Sequence, residues 1–294
     1  MMRGPGRVAV AVRKPDGSII VKDDPFESIT KRFKPLSWPI LRGAVSLVES
    51  IVLGVRALSF SGDIAMEEEN KKAGKTKEKS PWDTVWMVVT VIFSFALGLG
   101  LFFYLPLVLT DLLNVKDGIL FNLVDGAFRL IIFLSYIYVI SLWKEIGRVF
   151  EFHGAEHKSV FAFEDKKTLD VESAKMYSTL HPRCGTSFLL IVMLVSILVF
   201  MTLGHPDTIG ERFLRIAFVP LIGGLSYEFI RLSEKASGNR FFRLFVLPGL
   251  WLQKITTKEP DDSQLEVAMV ALRCVLGKDP QVGGSKVEIL PQKS

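Results

Sequence analysis

His153, Glu156 and His157 put two imidazoles four positions apart with a carboxylate between them. On a helix both rings leave the same face, one turn apart. Such a pair can hold one metal ion, and Glu156 is close enough to act on a bound water. The H-x-x-E-H spacing is the one used by inverted-motif zinc peptidases. The competing reading is a solvated helix end whose histidines cap carbonyls. Gly154 lies within the motif and weakens a helix by about 1 kcal/mol against Ala. The chain has only four histidines, which gives this pair weight.

A second group follows at His181-Pro182-Arg183-Cys184-Gly185-Thr186, immediately before an apolar run. Pro and Gly make a turn there, so His181 and Cys184 could point together as zinc ligands. Cys184 could instead be a nucleophile activated by a helix N-terminus, or the segment could simply start a helix. Glu228 sits near the end of a later apolar run, where a carboxylate is costly and a functional candidate. It could instead pair with Arg231 one turn on. Glu145 and Glu151 are weaker candidates, and Glu145 could pair with Arg148. Arg42, Glu49 and Arg56 recur every seven residues, forming a wet stripe on a helix or reaching toward the site.

The elements that must position these residues are largely apolar. Hydrophobic residues make up 49% of 294, and the mean hydropathy is +0.33. Val85 to Thr110 carries no charge and exceeds the roughly 20 residues that cross a bilayer as a helix. Four spans are expected, at 84–110, 121–147, 187–204 and 213–232. Asp125 and Arg129 fall in the first turns of the second. Phe241 to Leu252 is too short to span, contains Pro248-Gly249, and reads as re-entrant or interfacial. Lys and Arg crowd the N-terminal region, the 66–80 segment, the 144–183 loop and the stretch after span four. The loops at 111–120 and 205–212 hold one cation-bearing position or few. By the positive-inside rule both ends are cytosolic, in the inner (cytoplasmic) membrane. His153, Glu156, His157, His181, Cys184 and Glu228 then share the cytosolic side, and His205 is on the other.

The remainder divides into a cytosolic hairpin region (1–39), an amphipathic helix (40–65), a charged linker (66–83), the membrane domain (84–253) with its site-bearing loop 148–186, and a C-terminal region (254–294). Arg7–Arg13 and Ser18–Val21 flank Pro15-Asp16-Gly17 as two strands around a turn. The helix at 40–65 could lie in the membrane interface or pack on the spans. Pro260 to Gly277 reads as a cytosolic helix behind an Asp cap. The fold class is therefore an all-α integral membrane protein with a small N-terminal β-hairpin. The net charge of +5 raises nucleic acid as a partner, but the cations flank apolar spans, so the expected partners are the lipid bilayer and another membrane protein. Two cysteines make no disulfide framework. Arg3 and Arg7 are followed by no long apolar run, so no cleavable signal peptide is expected.

The chain resembles the YqhQ-like bacterial membrane proteins, a domain-of-unknown-function family labelled "predicted metal-dependent enzyme". The matching stretches are Met1 to Pro5, Ala11-Val12-Arg13, Arg42-Gly43, Glu151 to Lys158, His181 to Thr186, Tyr227-Glu228, Glu259-Pro260 and Gln264 to Ala268. Members usually carry a Gly-rich lead-in, and this chain begins within it. The resemblance implies an integral membrane protein and ties the metal label to His153, Glu156, His157, His181 and Cys184, without a reaction. The expectation is a zinc site held by His153 and His157 with His181, Cys184 or Glu228. Three ligands would leave a position for water, which Glu156 could deprotonate, giving metal-assisted hydrolysis. A closed four-ligand site would instead be structural, in a non-catalytic assembly or quality-control factor. A transporter is a third reading, disfavoured by four spans without an inverted repeat.

Overall fold

The computed structural model describes residues 1–73, 81–115, 117–182, 184–235 and 240–290. In chain order, strands β1 (Met2–Gly4), β2 (Arg7–Arg13) and β3 (Ile19–Pro25) are followed by helices α1 (Ile29–Arg32) and α2 (Leu41–Ala73). Then come α3 (Pro81–Leu99), a π-helical turn (Gly100–Tyr104), α4 (Leu105–Leu112), α5 (Gly118–Ser141), α6 (Lys144–Glu164) and α7 (Val171–Lys175). The chain closes with α8 (Gly185–Leu203), α9 (Ile209–Ala217), α10 (Val219–Lys235), α11 (Arg240–Thr256), α12 (Asp262–Val275) and β4 (Val287–Ile289).

Two bodies result. In the first, β2 and β3 form the expected hairpin, extended by β1 at one edge and by β4, which pairs in parallel with β3 through Ile19 and Val287. The sheet packs Met2, Ala9, Ile19 and Val21 onto α12, which is buried nearly all round through Leu265, Met269, Val270 and Leu272. Ala155 and Ala162 of α6 close its other side. A capping box starts α12: Asp261 accepts from the Gln264 amide, and the Gln264 side chain accepts from Asp261 N–H.

The second body is the membrane-type bundle. Among the described residues, five helices are long and apolar enough to cross a membrane: Leu41–Glu67, Val88–Leu112, Gly118–Ser141, Gly185–Leu203 and Ile209–Leu232. The last four correspond to the expected spans, and the first is the segment read as amphipathic. Three boundaries move. The second span ends at Ser141, not 147. The helix stops at Leu142-Trp143, where Trp143 turns extended (ψ 136°) before the charged Lys144-Glu145, and α6 starts afresh. The fourth begins at Ile209 on a Thr208–Glu211 capping box and breaks at Phe218 before Pro220. The 66–83 segment is no separate linker up to Ala73, because α2 continues through it. Residues 74–80, with Lys116 and Arg183, lie outside the described residues.

Inside the bundle, Arg129 pairs with Asp125 at 2.8 Å, one turn apart. Its remaining N–H groups donate to the carbonyls of Phe102 and Phe103 at 3.4 and 3.3 Å. Those carbonyls belong to the π turn, whose widened ladder leaves them accessible. Arg212 reaches Asp111 at 2.7 Å, and His205 packs edge to face with Phe121 and hydrogen-bonds Asp207. The end of α4, the start of α5 and the 204–208 loop thus share one end of the bundle.

Candidate metal centre

The first body and the bundle meet around α6. Its 147, 154, 155 and 158 positions face inward, which leaves His153 and His157 at the seam with α8 and α11. Gly154 is where the chain after α11 crosses α6. A Cβ there would lie 2.1 Å from the Lys258 carbonyl oxygen, and Lys258 N–H donates to Phe150 O at 3.0 Å. Only glycine lets the two backbones approach this closely. The helix-weakening residue in the motif is therefore a packing requirement.

Each histidine has one ring nitrogen committed. His153 Nδ1 contacts Thr256 O at 2.8 Å, at the end of α11, and His157 Nδ1 contacts Thr179 O at 2.5 Å. A carbonyl can only accept, so both Nδ1 atoms carry the proton and both Nε2 atoms are left as electron-pair donors. His153 Nε2 stands 3.2 Å from Cys184 Sγ. The two imidazole rings lie 4.4 Å apart, edge to face. One ligand atom from each of His153, His157 and Cys184 falls within 4.8 Å of the other two. Tetrahedral zinc, with bonds of 2.0 to 2.3 Å, holds neighbouring donors about 3.6 Å apart, so the set fits that ion. Two imidazoles and a thiolate also match its preference.

Cys184 caps the N-terminus of α8, its sulfur accepting from Thr186 N–H. Burial raises its thiol, but hydrogen bonds with His153 and His157 outweigh that and bring it down to about 5. Burial is the largest single influence on His153 and opposes its charge, but the hydrogen bond and charge of Cys184, the Thr256 carbonyl and Glu156 together outweigh it, so His153 is raised.

The other expected residues are placed differently. His181 is 4% exposed and stacks near His157, with ring centroids 5.6 Å apart, but its Nε2 is directed at Glu164 Oε2, 3.4 Å away. Its backbone is locked to the Gln253 side chain at both N–H and C=O. Glu228 lies away from the cluster and forms a bidentate pair with Arg42, where α10 meets the start of α2. Glu156 projects from α6 beside His153 and is 43% exposed. Glu151 accepts from Gln264 at 2.7 Å and buttresses α12. The orienting groups absent from the sequence reading are the Thr179 and Thr256 carbonyls. Backbone acceptors carry no residue-type signal.

His153 and Glu156 also border a cleft of about 1450 Å³, walled by β2, α2, α6 and α12. The site is therefore open on its α6 side.

Residues 38–278 match a family described as a protein of unknown function, DUF1385. The chain belongs to that family. It is also 33% identical over 285 residues to the uncharacterized protein YqhQ of Bacillus subtilis (strain 168), covering 92% of this chain and 86% of that protein. The resemblance drawn from the motifs is thus borne out. No solved structure matches the chain.

Proposed function

We propose that His153, His157 and Cys184 bind a divalent ion, zinc by donor chemistry, and that the protein is a metal-dependent hydrolase at the cytosolic face of the inner membrane. One observation carries this: both Nδ1 atoms are tied to carbonyls while both Nε2 atoms remain for Cys184 and an ion. Bound there, zinc would supply Lewis acidity and acidify a water. The chain's own part is to fix the two tautomers, keep Cys184 ionised and hold Glu156 on the cleft beside His153 as a proton acceptor. Three protein ligands are characteristic of catalytic rather than closed structural zinc sites.

The sheet supports one membrane arrangement. Because β3 and β4 pair, both chain ends lie on one side, so the number of crossings between them is even. Helix α2 keeps contact with that same sheet: Glu49 is 3.7 Å from Arg3, and Phe60 lies 5.8 Å from Lys22. We therefore assign α2 to the membrane surface, its exposed Val48, Ile51, Val52 and Val55 toward lipid, and four crossings to α3–α4, α5, α8 and α9–α10. Lys and Arg density puts the sheet in the cytosol.

A second reading rests on the exposure of Glu156. The cluster ties α6, α8 and the end of α11 together, and a structural metal would clamp that seam in an assembly factor for another membrane protein. Metal analysis on detergent-purified protein decides between them. The hydrolase reading expects one zinc per chain, lost in His153→Ala/His157→Ala, with Glu156→Gln keeping the metal but losing the cellular activity. Full activity in Glu156→Gln would leave only the clamp, and metal-free wild type would remove both.

A further inference from the structure

The 1450 Å³ cleft is larger than the roughly 300–1,000 Å³ of ordinary small-molecule pockets. Its position is unusual. One wall is α2, assigned above to the membrane surface. Another is the α6 stripe Lys144, Arg148, Phe152 and Glu156, four residues apart throughout, which begins with only Leu142 and Trp143 between it and the end of α5. The mouth of the cleft is thus at the level where span α5 leaves the membrane.

The stripe is graded. Lys144 and Arg148, at the membrane end, are exposed and form no ion pair among the described residues. Next come Val149 and Phe152, 51% and 36% exposed, opposite Leu58 of α2 at 69%. Val10, Val12, Ile64, Val267 and Ala268 continue the apolar lining, and Glu145, Glu151, Asp261, Arg13 and Lys14 also border the cleft. Farthest in lies Glu156 beside His153. Two unpaired cations at the headgroup level followed by an apolar trough complement an anionic head with an acyl chain. A peptide strand is the competing occupant: β2 is paired to β3 along its length but to β1 only through Arg7–Ala9, so the Val10–Arg13 edge offers backbone groups, and the test below separates the two.

We infer that this cleft binds an anionic phospholipid, its phosphate on Lys144 and Arg148 and one acyl chain between α2 and α6. The inference rests on the interfacial placement of α2 and is independent of the metal.

The test uses the full-length protein in detergent and a phosphatidylglycerol bearing a fluorescent chain, with phosphatidylcholine and diacylglycerol of the same chain as controls. Phosphatidylglycerol is expected to bind at one per chain and above both controls. Lys144→Glu/Arg148→Glu should weaken it by about tenfold or more, as reversal of two headgroup contacts implies. Ala57→Trp, which fills the trough, should abolish it without changing zinc content. The His153→Ala/His157→Ala protein should still bind, which separates this inference from the metal reading. Equal binding of diacylglycerol, binding untouched by both cleft variants, or a co-purifying peptide displaced by neither lipid would overturn it.

Discussion

Burial alone would push the Cys184 thiol up, yet hydrogen bonds with His153 and His157 bring it to about 5. Because the value is depressed, the thiolate is present above it and is lost only as pH falls through about 5. In chelator-treated protein, alkylation of Cys184 should therefore stay near its plateau rate at pH 6, where an ordinary thiol is almost entirely protonated. His153→Ala should move the profile toward that of an ordinary thiol, and added zinc should protect the sulfur. Cys274, raised chiefly by burial, is the internal control. The same geometry sorts the remaining candidates. Cys184→Ala should lose the metal, whereas His181→Gln and Glu228→Gln should retain it, since His181 faces Glu164 and Glu228 is held by Arg42. A metal content that depended on Glu228 would contradict this placement.

At the scale of elements, Gly154 sets two magnitudes against each other. Alanine gains about 1 kcal/mol of helix propensity. Its Cβ, however, must displace the Lys258 carbonyl, an overpacking that typically costs about 1–3 kcal/mol. Gly154→Ala should be net destabilising in thermal unfolding and should lower zinc affinity, because the shifted segment includes the end of α11 that holds His153. Asp261→Ala should cost about 1 kcal/mol by removing the cap of α12. The spans were readable because charge-free runs such as Val85 to Thr110 admit few alternatives. His153 and His157 were readable from spacing, and Cys184 from its place before an apolar run. The break at Leu142-Trp143 was hidden because no Pro or Gly marks it: two apolar residues carry the run through the turn before the helix resumes at the charged Lys144-Glu145. The Arg42–Glu228 pair was hidden because Arg231 offered a local partner, while the true one is 186 residues away. Strand β4, three residues long, has no pattern of its own and exists only because β3 offers an edge.

At the scale of the whole molecule, the shared sheet makes a topological statement that labelling can check. Asp207, at the 204–208 end, and Lys278, after α12, are exposed, and the two native cysteines are buried. Single-cysteine reporters Asp207→Cys and Lys278→Cys should react with a membrane-impermeant maleimide from opposite faces in sealed vesicles, and reaction of both from one face would refute four crossings. The pairing of β3 with β4 has a further consequence for how the chain is made. The first strands leave the ribosome long before α12 and β4, and between them every crossing helix must be inserted. Until then Met2, Ala9, Ile19 and Val21 have no apolar partner to cover them. An N-terminal hairpin in that condition is a natural client for a holding chaperone. Its capture by α12 can only follow synthesis of every helix between them, so closure of the sheet on α12 is the last step in completing the fold.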